Sequence, residues 1–554
     1  MKHFLVLIIS LWLVLSACNG SAEEIVGVVL DDSGQPVAGA VVRVQTTENF
    51  TVSDEDGRFF VTNVPRGEEF FITAWQRGYF IAGVPAQSGD SGVEIELHAH
   101  TSEDNLDYEW LPSQFHPGQG EDQGCAACHS SAGTEDTTAL PVDEWLLDAH
   151  SQSAKNLRFI TMYNGTDVFG NQSPLTRFAS SRDYGSFPLP PDLTKPYFGP
   201  GYKLDFPVSD GNCAACHTPA ASVNDPYGVN PAAVEGVAVE GVACDFCHKI
   251  WDVKIDPVTQ MPYLNMPGVL SYEFRRPPEG HQFFAGPFDD VAPGEDTYSS
   301  LQRESAFCAP CHHAVFWDTV VYNSYGEWLE SPYSDPEDGQ TCQDCHMPVG
   351  LADHFALAEA GGLVRDPQTI PSHKMLGVMD EAFMQQAVTM TVRADRNGDE
   401  IGVQVEIFNN NTGHHIPTDS PLRHLILVVE AFDAKEGILE QVSGPVVEVY
   451  AGTGNAEDGY YAGLPGKVYA KILEDLWTEI SPSGSYWNPT RVVSDNRIAA
   501  METASSTYGF TAPEEGAVTI KVRLIFRRAF IEMMDWKGWE SPDILIAEYR
   551  VRLD

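Results

Sequence analysis

Residues 306–313 read AFCAPCHH, in which Cys308, Cys311 and His312 form a C-x-x-C-H unit. Four more units share that spacing: Cys125, Cys128 and His129; Cys213, Cys216 and His217; Cys244, Cys247 and His248; and Cys342, Cys345 and His346. At this chain's cysteine and histidine content, random placement yields about 0.01 such units, so the repetition has a cause. Paired cysteines can hold zinc, but zinc does not require a histidine directly after every second cysteine. Disulfides leave the histidines equally unexplained. The spacing fits one chemistry: two thiols add to the two vinyl groups of a haem, and the adjacent imidazole reaches the iron. Five covalently bound c-type haems are therefore expected, with His129, His217, His248, His312 and His346 as proximal ligands.

Each iron has a second axial position. The chain has 17 histidines, enough for every site without forcing any iron to be filled or open. His313, directly after His312, cannot straddle its neighbour's macrocycle. It either ligates a haem packed alongside or is solvated or bonded to a propionate. His150 lies in EWLLDAHSQSAKN, and the later EWLESPYSD repeats its frame with Tyr333 in place of the histidine. That phenol is expected to pack or hydrogen-bond, though tyrosine ligation is known. His116, nine residues before Cys125, and His281, His354 and His373 sit in similarly irregular stretches. Met347 follows the last motif too closely to serve that haem.

The units that must carry these groups differ in texture. Residues 1–17 hold an early Lys and then an apolar run, the pattern of a secretory signal peptide. Leu15-Ser16-Ala17-Cys18 resembles the bacterial lipobox, which implies a lipidated Cys18 beginning a short linker, 18–22. An exported lipoprotein is expected, membrane-anchored and periplasmic, outer-membrane or at the cell surface. Residues 23–98 lack cysteine and alternate apolar with polar positions in EIVGVVL, AVVRVQT, RFFVTNV and FFITAWQ, separated by turn clusters, as in a small antiparallel β-sandwich. Residues 99–380 hold every motif and are rich in Pro, Gly and Asp; an irregular, mainly α multihaem domain is expected there, with five macrocycles supplying the missing apolar core. Residues 381–554 return to alternation, in VTMTVRA, IGVQVEIFN, RHLILVVEAF, AVTIKVRLIF and ILIAEYRVRL, and read as a β-sandwich-like C-terminal domain. With 33 Lys+Arg against 79 Asp+Glu, nucleic acid is excluded as a partner.

Two resemblances refine this. The series Gly27, Gly34, Pro36, Val37, Gly39, Ala40, Asp56-Gly57-Arg58-Phe59 and Pro65-x-Gly67 resembles the carboxypeptidase regulatory-like fold, an accessory domain without catalytic groups. It implies a spacer, with glycan contact as an outlying role shared with related sandwiches. The segments EGVACDFCHKIWD, TCQDCHMP, EWLLDAHSQSA, SHKMLG and TGHHIPT resemble the multihaem cytochrome c superfamily that includes hydroxylamine-oxidoreductase-related and pentahaem nitrite-reductase-like proteins. That resemblance implies distal ligands at His150, His373 and His414, with His415 as an extra copy. Two departures matter: all five motifs end in His, where pentahaem nitrite reductases place a Lys at the catalytic haem, and hydroxylamine oxidoreductases carry more motifs. The leading expectation is electron transfer between redox partners: other cytochromes, a quinol-linked donor, and a terminal reductase or extracellular acceptor. The alternatives are reduction or oxidation of a small nitrogen or sulfur species at one five-coordinate haem, with Arg275, Arg276 and Arg303 as candidate anion-binding groups, and an adhesive protein with structural haems.

Overall fold

The computed structural model describes residues 24–114, 124–183 and 185–554. The signal segment, Cys18 and His116 lie outside these residues. Contacts divide the chain into two units, one running to Thr101 and including Phe288–Tyr298, the other comprising Ser102–Pro287 and Ser299–Asp554.

Among its described residues, the first unit holds a β-sandwich of seven strands: β1 (Glu24–Asp31), β2 (Val41–Val44), β3 (Phe50–Val52), β4 (Arg58–Thr62), β5 (Phe70–Trp75), β6 (Ala82–Ala86) and β7 (Ser91–Leu97). Period-two alternation does the sorting. In β4, Phe59 and Val61 are buried while Arg58 and Phe60 are exposed. The sheets β4-β1-β7 and β3-β2-β5-β6 enclose Ile25, Val29, Val42, Phe59, Ile72 and Ile95. Gly57 has φ 72°, and a Cβ there would sit 2.5 Å from the Val29 carbonyl oxygen, so the turn into β4 needs glycine. The sandwich is not wholly antiparallel, because β7 returns parallel to β1. Phe288–Tyr298 joins the same unit: Thr73 Oγ1 donates to Asp289 at 3.0 Å, Trp75 stacks on Tyr298 at 4.7 Å, and Ile81 N donates to the Asp296 carbonyl.

In the second unit, residues 389–553 form two antiparallel sheets of four and five strands. Residues 424–432, HLILVVEAF, are almost continuously apolar because that strand is covered on both faces. Leu425, Leu427 and Val429 enter the core between the sheets with Ile401, Val405, Ile520 and Leu524. Ile426 and Val428 face a second cluster with Met162, Phe530, Met533 and Trp539. Met162 belongs to the motif-bearing region, so this region and the C-terminal sheets share a core.

The motif-bearing region is irregular, as expected, with short helices interleaved with two-stranded sheets. Among the described residues its longest α-helix, Leu157–Asn164, has eight residues. Two-stranded sheets pair Phe178–Ser181 with Gly185–Pro188, Ile250–Val253 with Tyr272–Phe274, and Ala314–Phe316 with Thr319–Tyr322. Frequent Pro and Gly end each element early. The helix Leu157–Asn164, for example, starts at an Asn156 cap and ends on Gly165 at φ 71°. Among the described residues, no helix is long and apolar enough to cross a membrane.

Candidate functional site

Every C-x-x-C-H unit forms one helical turn: Ala126–His129, Ala214–His217, Cys244–His248, Ala309–His312 and Cys342–His346. Positions i, i+3 and i+4 share a helix face, so the two thiols and the imidazole point the same way. The ten motif cysteines, Cys125, Cys128, Cys213, Cys216, Cys244, Cys247, Cys308, Cys311, Cys342 and Cys345, are all half-buried free thiols, so none is consumed in a disulfide. Contacts outside the motifs fix the turns. The Ser113 amide donates to buried Glu240 at 2.8 Å, and its hydroxyl accepts from Cys244 N at 3.2 Å, while its carbonyl accepts from Ala126 N. Ser113 thus ties the first motif to the third. At the other end of the first turn, the Cys128 carbonyl accepts from Leu357 N at 2.8 Å, two residues beyond Phe355. Asp245 accepts from Leu111 N at 2.9 Å and Tyr108 Oη at 3.0 Å, and forms a buried ion pair with Lys249. Lys249 is committed to that pair.

The imidazoles are oriented through Nδ1. His129, His248 and His346 donate to the carbonyls of Phe355, Ala285 and Leu376 at 2.8, 2.8 and 2.5 Å. His312 Nδ1 lies 3.1 Å from Asp419. Beyond the motifs, His150 Nδ1 lies 2.7 Å from Asp148, His414 donates to the His415 carbonyl at 2.9 Å, and His313 faces Asn323 Oδ1 at 2.8 Å. Occupying Nδ1 leaves Nε2 free, the usual arrangement of a metal-ligating histidine. His217 and His373 are buried with Nδ1 unpartnered. Burial holds His373 at about 3 and His217 and His346 at about 4, so these rings are in the neutral, ligating form.

Three motif histidines face histidines from elsewhere in the chain. Ring centroids are 6.5 Å apart for His248 and His373, 6.3 Å for His346 and His414, and 6.3 Å for His312 and His150. With metal–nitrogen bonds of about 2 Å, two axial imidazoles on one iron have centroids about 6 Å apart. Free cysteine pairs, imidazole orientation and spacing therefore all fit an iron porphyrin at these three places. Local contacts hold the partners: Glu144 accepts from the His373 amide at 2.7 Å, and Asn409 Nδ2 donates to the His414 carbonyl at 2.9 Å. His129 and His217 instead stack with Phe355 and Phe159, at 6.1 and 3.7 Å.

The motifs are not neighbours in chain order. The thiols of Cys125 and Cys244 act on one another electrostatically, as do those of Cys216 and Cys311 and of Cys308 and Cys342. Cys247 and Cys311 pack on one apolar cluster with Phe246, Tyr272 and Phe274. The fourth motif therefore adjoins the second, third and fifth, and the first adjoins the third. In the first motif it is Cys125 that makes this junction, while Cys128 is tied through its backbone to the segment at Leu357.

Other candidates fall elsewhere. His281 is exposed. His354 is held between Asp353 and Asp136, and His415 lies beside Glu327. Tyr333 donates its hydroxyl to the Asn410 carbonyl at 3.0 Å, as the packing alternative requires. Arg276 is buried on Asp104 and Asn224, Arg275 bonds the Phe274 carbonyl, and Arg303 bonds the Thr369 carbonyl. Sequence reasoning missed Asp148, Asp419 and Glu144. Among 79 acidic residues, nothing marks these three.

The carboxypeptidase regulatory-like domain family matches residues 24–97. No curated protein sequence matches the chain. Among solved structures, a penta-heme cytochrome c552 from Thermochromatium tepidum matches at 19% identity and TM-score 0.50, covering 77% of this chain and 97% of that one. A cohesin–X-dockerin complex from Acetivibrio cellulolyticus matches at 19% identity over 14% of this chain and 58% of that one, TM-score 0.13, and the Fcho1 Mu homology domain of Danio rerio at 12% over 26% and 39%, TM-score 0.12. The chain thus joins a carboxypeptidase regulatory-like domain to a larger unit, and over 77% of its length its fold is similar to that of a penta-heme cytochrome.

Proposed function

We propose that this chain is an exported, lipid-anchored pentahaem c-type cytochrome that passes electrons between redox partners outside the cytoplasm. The observation that carries the reading is the facing of three motif histidines by His150, His373 and His414 at the spacing of two imidazoles on one metal. Bound haem supplies one-electron storage at low reorganisation cost when both axial positions are filled. The chain's part is to anchor it by ten thiols, keep His217, His346 and His373 neutral by burial, and orient His129, His248, His312 and His346 through Nδ1. His313 serves the second motif's iron: its Nδ1 is held by Asn323, burial lowers its proton affinity, and Cys213 acts electrostatically on Tyr322, which pairs with the next residue, Ala314. His116 serves the first. The −46 formal charge favours ferric iron and low potentials, and selects partners with cationic faces. The leader and Cys18 place the chain on a membrane surface, with the N-terminal sandwich as spacer.

Mass spectrometry of the purified protein tests attachment: five haem increments are expected, and none would end the reading. Electron paramagnetic resonance of the oxidised form tests the ligation. Low-spin ferric signals alone are expected; a high-spin signal that shifts with nitrite or hydroxylamine would replace electron transfer by catalysis at an open iron.

A further inference from the structure

Acidic side chains outnumber basic ones by 79 to 33, so a cluster of arginines with no carboxylate at ion-pair distance is unexpected. Arg158, Arg423 and Arg528 form one. Arg158 Nη1 donates to Ser541 Oγ at 3.0 Å, Arg423 Nη1 to the Thr418 carbonyl at 3.2 Å, and Arg528 to the Val378 carbonyl and to Met379 Sδ at 3.3 Å. Every one of these acceptors is neutral. Among the described residues, none of the three guanidiniums has a carboxylate at ion-pair distance, and Arg528 Nε is buried without a partner. They also repel one another. Burial first, and then the charges of Arg158 and Arg423, bring Arg528 down to about 10; burial and Arg423 lower Arg158.

The cluster sits where three motifs meet. Arg158 precedes Phe159, which stacks on His217 at 3.7 Å. Arg423 acts electrostatically on Asp419, the partner of His312. Val378 follows closely on Leu376, whose carbonyl holds His346. Half-buried like charges of this kind are costly unless an anion joins them, and a guanidinium fork matches a carboxylate or similar oxyanion by paired hydrogen bonds.

We propose that Arg158, Arg423 and Arg528 form an oxyanion-binding site that takes a carboxylate, with the propionates of an adjoining porphyrin as its resident ligand. That occupant rests on the haem reading above; a free small oxyanion would have the same chemistry without resting on it. Two measurements on the haem-loaded protein separate these sources, with haem content checked first by mass. In spectroelectrochemical titration, R423Q and R528Q should lower the midpoint of one or two haems, because lost positive charge stabilises ferric iron, and R528K should restore the parent value. Calorimetric titration of the parent with nitrite, sulfite or phosphate should then give no heat. Saturable binding in the parent, weakened about tenfold or more in R423Q, would retain the site and replace the propionate by a free anion. Unchanged midpoints in both glutamine variants, together with no anion uptake, would overturn the proposal. Absence of haem by mass would count against the cofactor reading alone.

Discussion

If each motif holds a haem, as proposed above, replacing Asp419 by Asn tests how the chain sets the potential of one iron. Asp419 accepts from His312 Nδ1 at 3.1 Å and from Ser324 Oγ. Burial alone would raise its pKa, but the His312 imidazole, Arg423 and Ser324 bring the carboxyl well below the usual range, so it is ionised. The facing ring, His150, is held at 2.7 Å by Asp148, whose side chain is 1% exposed. This is the pair in which both Nδ1 protons meet carboxylates; the other motif rings with Nδ1 partners meet backbone carbonyls. A carboxylate draws the proton and makes the imidazole a stronger donor, which favours ferric iron. Hydrogen bonds to charged groups are worth about 1.5–3 kcal/mol, against about 1 for neutral ones. Losing the charge should therefore move the balance by about 1.4 kcal/mol, or about 60 mV for one electron. In spectroelectrochemical titration, Asp419→Asn should raise one midpoint of the five by that amount and Asp419→Glu by less. Asp148→Asn should move the same haem, non-additively in the double variant. An unchanged or lowered midpoint, or a common shift of all five, would refute the reasoning.

Further tests address other parts of the molecule. His373→Met or His414→Met should each raise the midpoint of a single haem, since thioether ligation favours ferrous iron; a variant that leaves all five in place would exclude that residue as a ligand. Leu427, fully buried between the C-terminal sheets, should cost about 2–5 kcal/mol as Leu427→Ala, read as a lowered denaturation midpoint. His354 is held above its ordinary range, first by Asp353 and then by Asp136, beside the Phe355 carbonyl that orients His129. A raised folded pKa gives stability that is complete below about 6.5 and lost as pH rises through the folded value. At this solvent-screened site the effect should be about 0–1 kcal/mol. Comparing denaturation of the parent and His354→Ala at pH 5.5 and 9 should show a difference at the lower pH alone.

Much of this architecture can be read directly from residue order. Alternation marks β1, β2 and β4 and the strands at 389–397, 400–408 and 518–527, because each has one apolar face. The strand at 424–432 stands out instead as an apolar run, having two covered faces. Shorter or mixed strands escape both signals, such as Phe50–Val52, exposed at both ends, and Thr490–Asp495, buried only at Thr490. Phe288–Tyr298 carries no periodicity that would assign it to the first unit; its place comes from single contacts such as Thr73 with Asp289. At the site, five cysteine pairs with their histidines stand out by spacing alone. His150, His373 and His414 come from a resemblance, and the structure brings each against a motif histidine. The carboxylates that orient these rings are indistinguishable in sequence from the surface acids around them.

The contacts among cysteine pairs carry a consequence for traffic through the molecule. If each motif holds its prosthetic group, the layout is a fork rather than a file: the stem is first-to-third, and the prongs leave the fourth toward the second and the fifth. A lesion at Cys308 or Cys311 would then isolate three islands, whereas one at Cys342 or Cys345 would merely shorten a prong. Such a node lets one input feed two outlets, and the ring tuned by Asp148 and Asp419 stands at the branch point as its gatekeeper.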